Sequence, residues 1–264
     1  MRTKLHVLDL GRIRMDSRVL IGTGLSPFPE LVEVPISAYC IDHPDGRVLF
    51  DTGCHPQAMG PDGRWSQAFQ RDYPHLGGDD CTLPHRLEQM GLGPNDFRHV
   101  VLSHLHSDHA GCTEFFRKSR IIVHADEFAA VREAYQRRED DAYAWRDTDA
   151  WLKADLDWSF IRTADGDLDI AGGIRILNLG RGHASGMLAL SVDLPETGHV
   201  ILASDALYCA ENLTGAQPGW LGDRDGYLRT VDRLRALSSE AQIWFGHDPR
   251  QFTTLRKSTE GCYE

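Results

Sequence analysis

Ser103-His104-Leu105-His106-Ser107-Asp108-His109-Ala110-Gly111 packs three imidazoles and a carboxylate into six residues, in the order His-x-His-x-Asp-His. With this chain's residue frequencies, about 0.003 chance occurrences of that pattern are expected, so composition alone does not produce it. Imidazole and carboxylate are the ligands a borderline cation such as zinc selects. Alternate residues of an extended backbone point in opposite directions, so all four groups cannot easily close on one tetrahedral centre. His104 and His106 lie two apart and can face one way. Asp108 and His109 follow a turn that Ala110-Gly111 helps to make. The spacing therefore predicts two adjacent metal ions sharing the motif, each with further ligands from distant sequence.

The chain offers such ligands in matching places. The motif itself follows the apolar run His99-Val100-Val101-Leu102. Gly182-His183 follows Ile174 to Leu179, Ser204-Asp205 follows Val200-Ile201-Leu202, and Gly246-His247 follows Ile243-Trp244-Phe245. A single His or Asp at a strand end is ordinarily a turn or cap residue. Four strand ends in the same register, one of them carrying the dinuclear pattern, read instead as a ligand set.

The remaining chain reads as strands in the first half, alternating strands and helices in the middle, and a strand-helix-strand finish. Pro35 to Ile41 alternates with period two, and Asp45-Gly46 then separates it from Arg47-Val48-Leu49-Phe50, a hairpin signal. The Gly-, Asp- and Pro-rich stretch 54–82 reads as an extended surface excursion. Leu5 to Leu10 is a short mixed stretch cut by Gly11-Arg12. Helical spacing is expected over 83–92, 126–138 and 225–238, and further strands over 158–162, 174–179, 187–192 and 199–203.

Composition narrows the functional classes. The chain has 264 residues, 41% hydrophobic and 25% charged, and a net charge of −11. These are globular values, and the length suits one large domain or two small ones. The acidic balance argues against nucleic acid or an anionic membrane as partner. No apolar run approaches the roughly 20 residues of a membrane span. The start, Met1-Arg2-Thr3-Lys4, lacks the pattern of a signal peptide. Six scattered cysteines with no C-x-x-C pair read as free thiols in a reducing, cytoplasmic setting.

The sequence resembles the metallo-β-lactamase superfamily and, within it, the quorum-quenching N-acyl-homoserine lactonases. Beyond the motif and its distant ligands, the resemblance is carried by Gly11-Arg12, Met15-Asp16, Leu49-Phe50-Asp51-Thr52-Gly53, Ser204-Asp205-Ala206-Leu207-Tyr208 and Phe245-Gly246-His247-Asp248. It implies an α/β (α+β) fold: a four-layer αββα sandwich of two mixed β-sheets flanked by helices. Residues 1–264 are expected to form one domain, with a helical insertion around 126–158. The resemblance implies that His104, His106 and His183 hold one divalent ion, that Asp108, His109 and His247 hold the other, and that Asp205 bridges them beside a bridging hydroxide. The ions would be zinc, with iron, manganese and cobalt also fitting. Asp51 would orient the ligand loop from behind.

The implied reaction is hydrolysis of a lactone ester, with Asp108 passing a proton to the leaving oxygen and Tyr208 donating to the developing oxyanion. Met15, Ser107, Trp65 and Phe69 are expected to line the substrate pocket, Ser107 standing where lactonases often carry a bulky apolar residue. The 73 residues between His109 and His183 exceed the usual lactonase spacing. Tyr143, Trp145, Trp151 and Trp158 in that stretch read either as ordinary packing of an added helical pair or as an aromatic lid. The competing activities are another lactone or ester hydrolase, a glyoxalase-II-like thioesterase and an organophosphate hydrolase on the same scaffold. A non-catalytic binding domain is a remote reading, because all seven ligand positions are filled. The expected partner is a small-molecule lactone. A homodimer is compatible with the sequence, which leaves oligomeric state open.

Overall fold

The computed structural model describes residues 2–22 and 26–264. Its strands are β1 (Lys4–Asp16), β2 (Leu31–Asp42), β3 (Arg47–Phe50), β4 (His75–Leu76), β5 (Phe97–Val101), β6 (Arg120–His124), β7 (Asp157–Ile161), β8 (Leu168–Ala171), β9 (Ile174–Gly180), β10 (Met187–Leu194), β11 (Gly198–Ser204) and β12 (Gln242–Phe245). They form two sheets, ordered β4-β1-β2-β3-β5-β6-β7 and β12-β11-β10-β9-β8. Both are mixed. In the first, β1, β2 and β3 pair antiparallel, while β3, β5, β6 and β7 run parallel. In the second, only β11 and β12 are parallel.

Period-two alternation builds the layers. Val200 and Leu202 of β11 point inward to meet Val7, Ile41, Val48 and Val101 of the first sheet. Ile201 and Ala203 of the same strand point outward and pack under Tyr227, Val231 and Leu234 of helix Arg224–Leu237. On the far side, Leu49, Val100, Ile121 and Val123 pack against Leu83 and Leu87 of helix Leu83–Gln89 and Trp151 of helix Trp145–Lys153. The result is helix, sheet, sheet, helix, each sheet buried on both faces.

Two segments differ from the sequence expectation. The stretch read as mixed and interrupted is the long strand β1. Gly11 does not end it; it forms a bulge, with the β1/β2 register shifting between Asp9 and Arg12. Gly11 has φ +91°, and a Cβ there would lie 2.8 Å from the Leu76 carbonyl oxygen, so glycine lets β4 approach and pair. The stretch 54–82 is not merely a surface excursion either. It contains helix Gln67–Asp72 and β4, and it buries Trp65 at 1% exposure in the core. Helices Ala125–Arg137 and Trp145–Lys153 occupy the long interval after the histidine motif.

The motif's last residue is fixed by packing. Gly111 donates its N–H to the Gly53 carbonyl at 2.9 Å, and a Cβ on it would come within 2.3 Å of the His55 nitrogen. Backbone on backbone cannot give way cheaply. Gly111→Ala should therefore cost about 1–3 kcal/mol of stability, measured as a lower urea midpoint at an unchanged m-value.

Candidate metal centre and substrate cavity

Every ligand follows the carboxyl end of a strand. His104 and His106 lie on the loop after β5, and Asp108 and His109 on the single helical turn Ser107–Ala110 that follows. His183, Asp205 and His247 follow β9, β11 and β12. The fold brings these seven together as two groups whose ligand atoms lie within 4.8 Å of one another: His104, His106, His183 and Asp205; and Asp108, His109 and His247. Asp205 stands between them. Its Oδ2 is 3.3 Å from His183 Nε2 and 3.7 Å from His104 Nε2. Its Oδ1 is 3.2 Å from His109 Nε2 and 3.1 Å from His247 Nε2. One carboxylate thus offers an oxygen to each group, as a bridging ligand must.

The donor set fits cations. His104 Nε2 and Asp205 Oδ1 are buried and have no hydrogen-bond partner among the described residues, and such orphaned acceptors are costly unless something positive meets them. The outer ring nitrogens are held instead. His109 Nδ1 donates to Asp51 Oδ2 at 2.9 Å, and His247 Nδ1 donates to the Pro35 carbonyl at 2.8 Å. Those bonds leave Nε2 of each ring free as a ligand.

The two groups differ in charge. Burial pushes His104 well down, His106 to about 4 and His183 to about 3, so these rings are neutral. Burial also opposes charge on His109 and His247, but Asp205 and Asp108 outweigh it and raise both. Desolvation likewise works against ionising Asp108 and Asp205, yet the neighbouring imidazoles hold both carboxyls below their ordinary range.

Asp51 sits behind the centre, with φ +60°. It accepts from Ser103 N at 2.7 Å, Ser103 Oγ at 2.8 Å, Ser204 Oγ at 3.1 Å and His109 Nδ1. It therefore touches the segments carrying His104, His109 and Asp205.

A cavity of about 330 Å³ opens over the ligands. Its floor is His106, Asp108, His183, Asp205, Tyr208 and His247. The Tyr208 hydroxyl lies 3.1 Å from His183 Nδ1. With His183 Nε2 turned to the ligand cluster, Nδ1 carries the ring proton and donates to the phenol oxygen, leaving the phenol's own proton for another acceptor. Burial pushes the phenol's pKa well above normal, and Asp205 and Asp108 add to the rise, so it keeps that proton.

Two of the four expected wall residues, Met15 and Phe69, line the cavity. Trp65 and Ser107 do not. Trp65 lies behind Phe69, with ring centroids 5.0 Å apart. Ser107 is fully buried, and its N–H and Oγ both bond the Ala142 carbonyl, at 2.8 and 3.0 Å. A small hydroxyl at 107 thus ties the motif to the segment 140–148 rather than widening the wall. Of the two readings of the aromatics in 143–158, ordinary packing holds for the three tryptophans. Trp145 stacks on Tyr135, Trp158 packs on Phe128, and Trp151 is core. Tyr143 alone of the four approaches a ligand, 5.2 Å from the His106 ring. The exposed aromatic over the cavity is Trp220, 58% exposed and 5.7 Å from the His183 ring. Sequence reading missed it, together with Tyr73, because a lone Trp in a Gly- and Pro-rich loop carries no periodicity.

The walls are braced to one another. Arg64 bonds Glu114 at 2.6 Å and the fully buried Asp147 at 3.3 Å. Arg146 donates to the Asp62 and Gly63 carbonyls at 2.7 and 2.8 Å. A larger groove of about 730 Å³ lies on the outer face of the second sheet. Its Arg175 is paired with Asp169 and its Arg233 with Asp167, so neither arginine is left free for an anionic ligand.

The architecture has counterparts among known proteins. Residues 31–247 match the model of the metallo-β-lactamase superfamily, and the chain belongs to that family. It is 45% identical to an N-acyl homoserine lactonase AiiB of Agrobacterium fabrum and 44% identical to one of Rhizobium rhizogenes, each over 100% of both chains. A solved N-acyl homoserine lactone hydrolase, with the product N-hexanoyl-L-homoserine bound at its catalytic metal center, superposes with a TM-score of 0.83 at 27% identity, covering 100% of both chains.

Asp51→Asn keeps the size and the tolerance of a left-handed backbone but turns an amide toward groups that donate. Because Asp51 reaches segments of both groups, the variant should hold both ions about 10–100-fold more weakly, read by chelator competition.

Proposed function

We propose that the chain is an N-acyl-homoserine lactonase, a dinuclear metal-dependent hydrolase that opens the ring ester of its substrate. The observation that carries this reading is Asp205 standing between two ligand groups at the floor of an apolar-walled cavity, with Tyr208 at its edge. The 45% identity to a lactonase over the full chain supports the substrate class.

His104, His106 and His183 would hold one ion, Asp108, His109 and His247 the other, and Asp205 both. Bound there, two divalent cations, zinc in our reading, supply an activated water near neutral pH and a Lewis acid for the ester carbonyl. Tyr208 donates its phenolic proton as a hydrogen bond to the carbonyl oxygen as negative charge develops there. Asp108, between the two histidines of its group, takes the proton of the attacking water and delivers it to the ring oxygen as the carbon–oxygen bond breaks. The product is the open hydroxy acid. The acyl tail lies against Met15, Phe69, Tyr73 and Trp220, and Trp220 covers it from the solvent side. Six free cysteines and the absence, among the described residues, of any helix long and apolar enough to cross a membrane are consistent with a cytoplasmic enzyme.

A pH-indicator ring-opening assay should rank acyl-homoserine lactones above simple γ- and δ-lactones, thioesters and phosphotriesters. Preference for thioesters would move the assignment to a glyoxalase-II-like activity. Tyr208→Phe should lower kcat about 10²-fold with two metal equivalents retained; unchanged turnover removes the donor role.

Trp220→Ala should lower kcat/KM for a decanoyl substrate about tenfold, the contribution of roughly two buried methylenes. A butyryl substrate should be nearly unaffected. Equal loss on both chain lengths would mean that Trp220 does not contact the tail.

A further inference from the structure

Glu127 is a carboxylate that nothing in the reaction uses. It lies in the first turn of helix Ala125–Arg137, is 0% exposed and, among the described residues, has no Lys, Arg or His acting on its charge. A buried carboxylate without a cation is expensive unless its oxygens are fully engaged by donors. Burial pushes the Glu127 carboxyl up to about 7, and backbone donors from two loops oppose that rise. Oε1 accepts from the backbone N–H of Leu105 at 3.1 Å, and Oε2 accepts from the backbone N–H of Gly186 at 3.2 Å. The Tyr143 hydroxyl and the Ser185 N–H lie near enough to favour its charged form as well.

The two backbone donors are informative by position. Leu105 separates His104 from His106. Gly186 is three residues beyond His183 and on the same loop. The carboxylate therefore spans the two chain segments that supply all three imidazoles of one ligand group. No such bond reaches Asp108, His109 or His247. Gly186 shows how closely its loop is pressed onto the helix: a Cβ there would lie 2.2 Å from His124 Nδ1, which itself caps the helix by accepting from Asp126 N.

We propose that Glu127 is a positioning residue for one half of the metal centre, fixing the spacing between the His104/His106 loop and the His183 loop. This rests on the reading that the seven ligands hold two ions. Glu127 touches neither ion nor substrate; it acts through the backbone of residues 105 and 186. Two acceptor oxygens are required, because two N–H groups converge on it. Glu127→Gln replaces one acceptor with an amide N–H, which then faces another N–H. The bond from Leu188 N to the Ser103 carbonyl, 2.8 Å, joins the same two segments independently and remains in the variant.

The test is metal stoichiometry, by elemental analysis of enzyme grown in metal-replete medium and dialysed against graded chelator. Wild type should hold two equivalents. Glu127→Gln should release one equivalent at about tenfold or more lower chelator and the second at the wild-type concentration, with the thermal midpoint of the metal-free protein close to wild type. In a His247→Ala background, which weakens the other half, Glu127→Gln should leave no tightly held ion, whereas His247→Ala alone should keep one. Release of both equivalents at wild-type chelator overturns the proposal. So does equal weakening of both, which a merely structural role would give. If Glu127→Gln does not fold, Glu127→Asp, whose side chain is one methylene too short to reach both N–H groups, should show the same one-ion release at a severalfold lower chelator concentration, and unchanged release overturns the proposal. A wild type that binds no ion overturns the two-metal reading itself, and this proposal with it.

Discussion

A carboxylate that never faces the cavity holds the centre in register. Asp51 accepts four hydrogen bonds from Ser103, His109 and Ser204, which join the histidine motif to the end of β11. Its left-handed backbone, φ +60°, costs roughly 1–2 kcal/mol for a residue with a Cβ. Hydrogen bonds to a charged group contribute about 1.5–3 kcal/mol each, so even two of the four offset the strain. The strain is what aims the carboxylate. β3 ends at Phe50, and the αL turn at Asp51 brings the side chain back under the ends of β5 and β11. Ser204, at φ +48°, makes the corresponding turn at the end of β11. Two strained residues thus face each other beneath the ligands, bonded Ser204 Oγ to Asp51 Oδ2.

This arrangement explains which parts of the site the sequence could disclose. Each ligand sits directly after an apolar strand, a local pattern visible in the residues themselves, and the His-x-His-x-Asp-His run is too improbable to be incidental. The layers were legible for the same reason. Alternation along Val200 to Ala203 and the apolar stripe of Tyr227, Val231 and Leu234 record which faces are buried. What stayed hidden depends on contacts between remote segments. Gly11 looks like a strand end, and only the approach of the Leu76 carbonyl explains why the strand continues through it. Ser107 looks like a wall residue, but its partner is the carbonyl of Ala142, 35 residues away. Trp65 and Phe69 have equal claims on sequence grounds. Packing turns Phe69 toward the cavity and seats Trp65 behind it. Glu127 carries no motif at all, and its two backbone partners come from different loops.

The cavity walls show the same division between local and tertiary information. The segment carrying Phe69 and Tyr73 and the segment carrying Asp141 and Ala142 are joined by Arg64 to Asp147, Arg146 to the Asp62 and Gly63 carbonyls, and Ser66 to the Asp140 carbonyl. Asp147 is fully buried, and burial lifts its carboxyl to about 7 despite the facing Arg64. Removing one partner of such a pair strands the other in a low-dielectric interior, so the contact resists opening. The walls on that side behave as one body. Trp220 belongs to a different loop, pinned at Gly219 to the Val19 carbonyl and at Gly222 to the His183 carbonyl. The covering aromatic is thereby anchored to the ligand loop on one side and to the Val19 segment on the other.

The two halves of the centre also reach ligand readiness by opposite electrostatic routes. For His104, His106 and His183, desolvation dominates, and the rings are neutral with lone pairs exposed to the cluster. A cation entering that half displaces no proton from them. For His109 and His247, the carboxylates of Asp108 and Asp205 overcome desolvation and favour the protonated rings. A cation entering that half must displace protons, and affinity there falls as the solution becomes more acidic. The difference follows from where the carboxylates lie. Asp108 lies 3.4 and 3.5 Å from His109 and His247, and the first group has no second carboxylate of its own. One half is therefore a neutral imidazole cage whose geometry must be held from outside, which is the task the Glu127 clamp fulfils. The other is an ion-paired cluster that its own charges draw together.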